Sequence, residues 1–356
     1  MADELIPREI YEVPAAIRAT LAETRVAARR AAEAIRARPS RRIYFIGNGT
    51  SYYSSLAATY LARSLAAPED ALVLARPAGD FRYFTPALSP YDVIVGISAS
   101  GEFRDVLAVF ERHRGQCLLV GITHVPGSSL ARLADVTLLS GGGPSRVPVM
   151  TKTYASTLTA AYLLLLEFYG APDPYVAELA VAADQCTEAI TQADRLLPEL
   201  VPLVAPFEHA FYFGAGSGYA AALEGALKMK EMALLHAEGS ETWEMASGPA
   251  TMVGIHTLCV ALYTGGPGDA ATVDGAQHAR RWGARVVEIG PRPAPVDLHL
   301  PAAALGHDAF APLLLVSVEA LLAYRVARAR GLTPDTPTWR DRYSSQGMTH
   351  IIGAPE

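Results

Sequence analysis

Cysteine is scarce: Cys117, Cys186 and Cys259 stand far apart in 356 residues. Their odd number and the lack of any CxxC pair exclude a disulfide framework and offer no zinc site. Long basic runs are missing too. The formal charge is −6, and the arginines from Arg25 to Arg42 alternate with alanines at helical spacing, as on a solvated helix face. Nucleic acid is therefore not an expected partner. No signal-peptide pattern opens the chain, since MADELIPREI carries acids and a proline where a basic and then an apolar region belong. The apolar stretch from Leu314 to Leu322 contains Glu319 and is too short to span a bilayer, so no membrane partner is expected and a reducing cytoplasm is the expected compartment. With 51% apolar and 19% charged residues and no low-complexity tract, the chain can bury a sizeable core.

What is present is regular alternation. Ile17 to Arg38 reads as a helix, and Ile43 to Ile46, Ala71 to Leu74, Val93 to Ile97, Cys117 to Ile122 and Val136 to Leu139 read as strands with helical segments between them. That order points to an α/β fold with a mostly parallel sheet between helices. Two long helical patterns, Thr151 to Tyr169 and Val176 to Leu197, flank the turn Gly170 to Pro174. The turn divides the chain into a first domain, 1–172, a second, 173–333, and a tail, 334–356. Beyond it the first half recurs. A slide of 167 positions lays Tyr44 to Tyr52 over Phe211 to Tyr219 and Val93 to Ile97 over Val260 to Thr264. Each half is thus expected to be a three-layer sandwich.

Ligands of such sheets collect where strands end and helices begin, because exposed N–H groups and the helix dipole favour anions there. Two turns of the first half fit that place: Gly47-Asn48-Gly49-Thr50-Ser51 and Ser98-Ala99-Ser100-Gly101. No Gly-Lys-Ser/Thr follows, and Tyr52 and Arg76 stand where a dinucleotide fingerprint needs a glycine and an acid, so no nucleotide cofactor or metal is called for. At the second copy of the Ser98 turn stands Gly265-Gly266-Pro267-Gly268-Asp269, without the hydroxyls. A further constellation lies in Leu223 to Glu231, where Glu224, Lys228 and Glu231 share one helix face. Ala, Leu and Met surround them, so the helix is expected to be buried and its charges partnered, with a carboxylate available as a general base.

These segments resemble the SIS (sugar isomerase) family, and within it the isomerase half of the glutamine:fructose-6-phosphate amidotransferases. The likeness runs through Arg8 to Pro14, Gly49 to Tyr52, Ser98 to Glu102, Val125 to Leu130, Thr151-Lys152, Leu223 to Glu231 and His236 to Glu238. It implies two tandem SIS domains, a small anionic sugar as partner, and a homodimer with a shared active site. It places Ser51, Ser98 and Ser100 on the sugar's phosphate, with Gly49, Thr50, Ala99, Phe103, Thr151, Glu224 and His236 as further substrate-binding positions. The resemblance makes Glu231 the C1/C2 proton shuttle, with Lys228, Glu244 and Arg342 as further catalytic positions. Several residues depart from the family pattern. Ala99 replaces an amide, Phe103 a threonine, Ser247 the ring-opening histidine and Arg342 a lysine. No glutaminase domain precedes Met1 in this sequence, so amidotransferase synthase chemistry is not expected. The reading is an isomerase, deglycase or aminosugar-phosphate deaminase in which Glu241, Glu244 or His350 stands in for the histidine. The alternative is a sensor that binds sugar phosphate without turnover.

Overall fold

The structure, a computed structural model, describes residues 4–39, 42–67, 70–171, 173–291 and 298–337. Its contacts group these into two compact units. One holds residues 15–146 and 152–180; the other holds 4–14, 147–151 and 181–337.

The first unit is built on five parallel strands: β1 (Arg42–Gly47), β2 (Leu72–Pro77), β3 (Val93–Ile97), β4 (Leu118–Thr123) and β5 (Val136–Leu139), in the order β2-β1-β3-β4-β5. β3 and β4 are buried at every position, which explains their unbroken apolar sequence. On one face Tyr44, Ile46 and Ile94 pack with Phe81, Val106 and Phe110 from the helices Ala78–Tyr83 and Arg104–His113. The arginines of the N-terminal helix Val13–Arg36 lie on its solvated face, with Arg18, Arg29, Arg30 and Arg36 exposed and Arg25 half-buried. Arg25 and Arg29 pair with the buried Glu167 carboxylate, and Arg36 donates to the carbonyls of Glu167 and Phe168 at the end of the helix Lys152–Tyr169. There the arginines meet the negative end of a helix dipole.

The second unit has β6 (His209–Gly214), β7 (His236–Glu241), β8 (Thr257–Leu262), β9 (Arg285–Gly290) and β10 (Leu298–Pro301), ordered β7-β6-β8-β9-β10 and again all parallel. The strand order repeats that of the first sheet. So does a special backbone: Gly49 (φ 52°, ψ −128°) and Gly216 (φ 58°, ψ −133°) each precede the helix after the first strand of their unit, in a region that favours glycine. Pairing corrects the expected overlay of later strands. Val93 faces Ile43, and Leu258 faces Ala210, so Val93 corresponds to Leu258, two residues before Val260. A slip of two preserves the alternation of faces, which is why the sequence tolerates it.

Helix lengths also differ from expectation. The helix Asp173–Val204 runs through Pro198 and Pro202 instead of stopping at Leu197. The segment Asp308–Ala329 is long and apolar enough to cross a membrane, contrary to the reading of Leu314 to Leu322, but 94% of its apolar window is buried inside the protein. Residues 152–167 are buried as well. These helices therefore carry no surplus apolar face. All three cysteines are free and buried.

Gly239 of β7 makes the closest approach of a glycine to other backbone among the described residues of the second unit. A Cβ there would lie 2.5 Å from the Ala222 carbonyl oxygen and 2.6 Å from the Leu223 Cα, both in the helix Ser217–Ala233. Backbone cannot yield as a side-chain tip does, so Gly239→Ala is expected to lower stability by about 1–3 kcal/mol, read as a reduced urea midpoint at unchanged m-value.

Candidate functional site

In the first unit both hydroxyl-bearing turns leave the carboxyl ends of adjacent strands. After β1, Gly47 lies so close to the next turn that a Cβ would be 2.7 Å from the Ser51 carbonyl carbon. The helix Thr50–Leu65 begins there, with Thr50 and Ser51 both buried. Asn48 Nδ2 donates to Asp105 Oδ2 at 3.2 Å, and Asp105 Oδ1 accepts from Arg82 at 3.0 Å, which ties this turn to the start of the helix Arg104–His113.

After β3, Ser98 is buried and its hydroxyl oxygen accepts from the N–H groups of Gly101 (3.1 Å) and Phe103 (3.4 Å). The Ser100 oxygen accepts from the Glu102 N–H at 3.2 Å, and Ser100 itself is exposed. Gly101 has φ +72° and lies against Ser128 and Thr123. The loop is held from behind by His124, whose N–H donates to the Ala99 carbonyl. Phe103 departs from its expected substrate position, since its ring packs against the apolar core around Val106 and Phe110.

In the second unit the helix Ser217–Ala233 carries the acid–base constellation. Lys228 Nζ lies 3.0 Å from Glu224 Oε1 and 2.6 Å from Glu231 Oε2. Lys228 and Glu224 are fully buried, while the Glu231 side chain keeps 27% of its surface exposed. Burial alone would lower the Lys228 pKa, but the two carboxylates outweigh it and hold the ammonium charged. Glu231 comes fourteen residues after Ser217, about 21 Å along the helix at 1.5 Å per residue. The helix starts at the carboxyl end of β6 and runs back, so Glu231 belongs to the end of the sheet where β7 begins. His236 opens β7 at that end, exposed and edge-on to His209 at 5.7 Å.

Other expected positions are placed as follows. Thr151 is buried, and among the described residues its hydroxyl has no hydrogen-bond partner. Glu241 accepts from the N–H groups of Trp243 (2.7 Å) and Glu244 (3.1 Å), so its carboxylate caps the helix Thr242–Ala246 and is a poor replacement for the ring-opening histidine. Glu244 is exposed on that helix, and Ser247 donates to the Trp243 carbonyl. Trp243 is 58% exposed. Arg342 and His350 lie outside the described residues.

Two groups escaped the sequence reading. His124 is buried against Ser140 and Thr157, and burial pushes its pKa down to about 4, so it is neutral behind the Ser98 loop. Glu319 is fully buried in the helix Pro312–Ala329, with neither carboxyl oxygen hydrogen-bonded among the described residues. A Cβ on Gly225 would lie 2.0 Å from its Oε1, so only glycine admits this carboxyl against the Lys228 helix. Burial, and then the nearby Glu224 charge, raise the Glu319 pKa well above 4.5, and the group is a neutral acid.

The sign of the linkage follows. The folded protein keeps a proton that the unfolded chain releases, so from about pH 4.5 upward Glu319 costs progressively more stability. Glu319→Gln removes that dependence. The difference in Tm, variant minus wild type, is expected to grow by on the order of 2–4 °C between pH 5 and 8 in thermal melts. A pH-independent difference means the acid is not held neutral.

The SIS domain model matches residues 38–167 and 204–290. Glutamine–fructose-6-phosphate aminotransferase (isomerizing) of Methanothermobacter thermautotrophicus is 32% identical over 341 residues, covering 94% of this chain and 56% of that protein. The chain thus spans little more than half the length of this curated relative. Among solved structures, the C-terminal domain of glucosamine-fructose-6-phosphate aminotransferase from Francisella tularensis superposes with a TM-score of 0.82 at 24% identity, over 94% of this chain and 98% of that one. Tagatose-6-phosphate ketose/aldose isomerase from Escherichia coli gives 0.79 at 23% identity, over 94% and 96%. With two five-stranded parallel sheets of one topology and a family match in two segments, the chain is a member of the SIS family, with two SIS domains in tandem.

Proposed function

We propose that this protein moves a proton between C1 and C2 of an anionic sugar, as an aldose–ketose isomerase or as a deglycase or aminosugar-phosphate deaminase built on the same step. The turns at Gly49-Thr50-Ser51 and Ser98-Ala99-Ser100 hold the anionic group through hydroxyl and N–H donors. Glu231 takes the C2 proton as the C1 carbonyl oxygen becomes an enediolate; the proton of the C2 hydroxyl then passes to O1 while Glu231 returns its own proton to C1, which leaves the carbonyl at C2. Lys228 and Glu224 orient Glu231.

The observation that supports this reading most is the clamp itself. A fully buried ammonium holds one oxygen of Glu231 at 2.6 Å, which fixes the carboxylate while part of that side chain stays open to solvent. Burying the Lys228 and Glu224 charges on one helix face is costly without a use for them. The capped Glu241 carboxylate and Ser247 favour the second reading, a sugar-phosphate sensor, because neither supplies the ring-opening group.

Deuterium exchange separates the two. With hexose and aminosugar phosphates in deuterium oxide, wild type is expected to exchange the C2 hydrogen of one of them, and Glu231→Gln to slow this by at least about 100-fold. Thermal stabilisation by the sugar phosphates with no exchange in wild type establishes the sensor instead. A homodimer with a shared pocket belongs to the same proposal and rests on the family alone; light scattering at the monomer mass overturns it.

A further inference from the structure

The internal repeat supplies a control for the Ser98 loop. Strand pairing sets Ile97 and Leu262 at equivalent places, and the next residues, Ser98 and Tyr263, donate their N–H groups to equivalent carbonyls, Ile122 at 3.1 Å and Ile289 at 2.9 Å. The following helices start at Arg104 and Asp269, so the two loops have equal length and each position has a counterpart.

In the second unit this loop is closed on a carboxylate of its own. Asp269 Oδ1 accepts from the Thr264 N–H at 2.9 Å and from its hydroxyl at 3.3 Å, and Oδ2 accepts from the Gly265 N–H at 2.8 Å. The Ser98 counterpart is also committed, for the Tyr263 hydroxyl donates to the buried Glu288 at 2.5 Å. In the first unit the counterparts of the two N–H donors are those of Ala99 and Ser100, and among the described residues neither has an acceptor. At the place of Asp269 stands Arg104, 45% exposed, its Nε 3.9 Å from Asp105, the residue that holds Asn48 of the other serine turn.

We propose that Arg104 is a specificity-determining residue for the sugar's anionic group, which takes the position on the Ala99 and Ser100 N–H groups that the Asp269 carboxylate fills in the other repeat. This rests on the reading of the Ser98 turn as the anion site. It assigns the departure at position 99 no consequence, because the donor there is backbone. The left-handed glycine is Gly101 in the first loop and Gly265, the counterpart of Ser100, in the other, so the two loops reach their helices by different paths, and what Arg104 contributes is a positive charge at the helix start.

The test uses the full chain, with inorganic phosphate and fructose 6-phosphate as probes and thermal melts as readout. Wild type is expected to gain Tm with either. Arg104→Asp is expected to lose that gain while its Tm without ligand stays within a degree or two of wild type, and Arg104→Ala to weaken fructose 6-phosphate binding by about 10-fold, the range of a charge-assisted contact. Arg112→Asp, which makes the same change in charge two turns further along the helix, is expected to keep the gain. If Arg104→Asp is stabilised as wild type is, or Arg112→Asp loses as much, the assignment is wrong while C2 exchange remains a separate question. If wild type itself binds neither probe, the anion-site reading fails and takes this inference with it.

Discussion

A fully buried ammonium is the constraint around which the second unit is arranged. Lys228 has no access to water, and taking such a charge out of water is repaid only by close opposite charges with good geometry. Glu224 and Glu231 supply them from one turn before and one turn after on the same helix. Two consequences follow. Glu231 is fixed by its salt bridge and not by packing, so its carboxylate can be both oriented and partly exposed. A further acid nearby, Glu319, meets a site whose positive charge is already shared, and it stays protonated. Gly225 makes room for that acid and Gly239 lets β7 approach the helix backbone, so the glycines serve the same arrangement.

The two repeats show how loops of equal length at equivalent strand ends take opposite electrostatic fates. Strand order, the glycine before the first helix and the length of the loop after the third strand are shared. What differs is which charge stands at the helix start. With aspartate the loop satisfies its own N–H groups; with arginine it does not. The sheet topology is thus common to both units, while the loop backbone and the side chains at the sheet's carboxyl end differ.

Much of this was legible in the sequence, and the omissions have physical causes. The strands of the first sheet stand where apolar runs and turn residues put them, because each is bounded by breakers. The charged face of Leu223 to Glu231 was visible as helical spacing. Glu319 was not, since a lone acid in an apolar run reads as an interruption of the run; the signal was Gly225, a residue that costs a helix about 1 kcal/mol and therefore marks a close approach. His124 was hidden because nothing in Thr-His-Val-Pro distinguishes a buried imidazole from an exposed one. Glu241 was misjudged for want of the capping geometry, which only coordinates give. Pro198 misled in the usual direction, since a proline in sequence argues for a helix end that tertiary packing overrode.

The chemistry of the Ser98 loop also bears on which anion suits it. Ser98 spends its oxygen on two loop N–H groups, so toward a ligand it has only its O–H proton to offer. Backbone N–H groups and a guanidinium are likewise donors only. A cradle made of donors cannot accept a proton from its ligand, and it therefore favours a fully ionised group over a protonated one. It distinguishes anions by charge, not by hydrogen-bonding pattern. A sulfonate and a phosphate monoester present the same three oxygens to such donors. What separates them is that the phosphate takes its second charge near pH 6, and each added charge is worth more beside an arginine than beside the neutral threonine that the family pattern carries one residue earlier. On the proposed reading, replacing that hydroxyl by Phe103 and placing Arg104 next to it exchanges directional recognition for charge recognition, and so favours a doubly charged phosphate over a singly charged sulfonate.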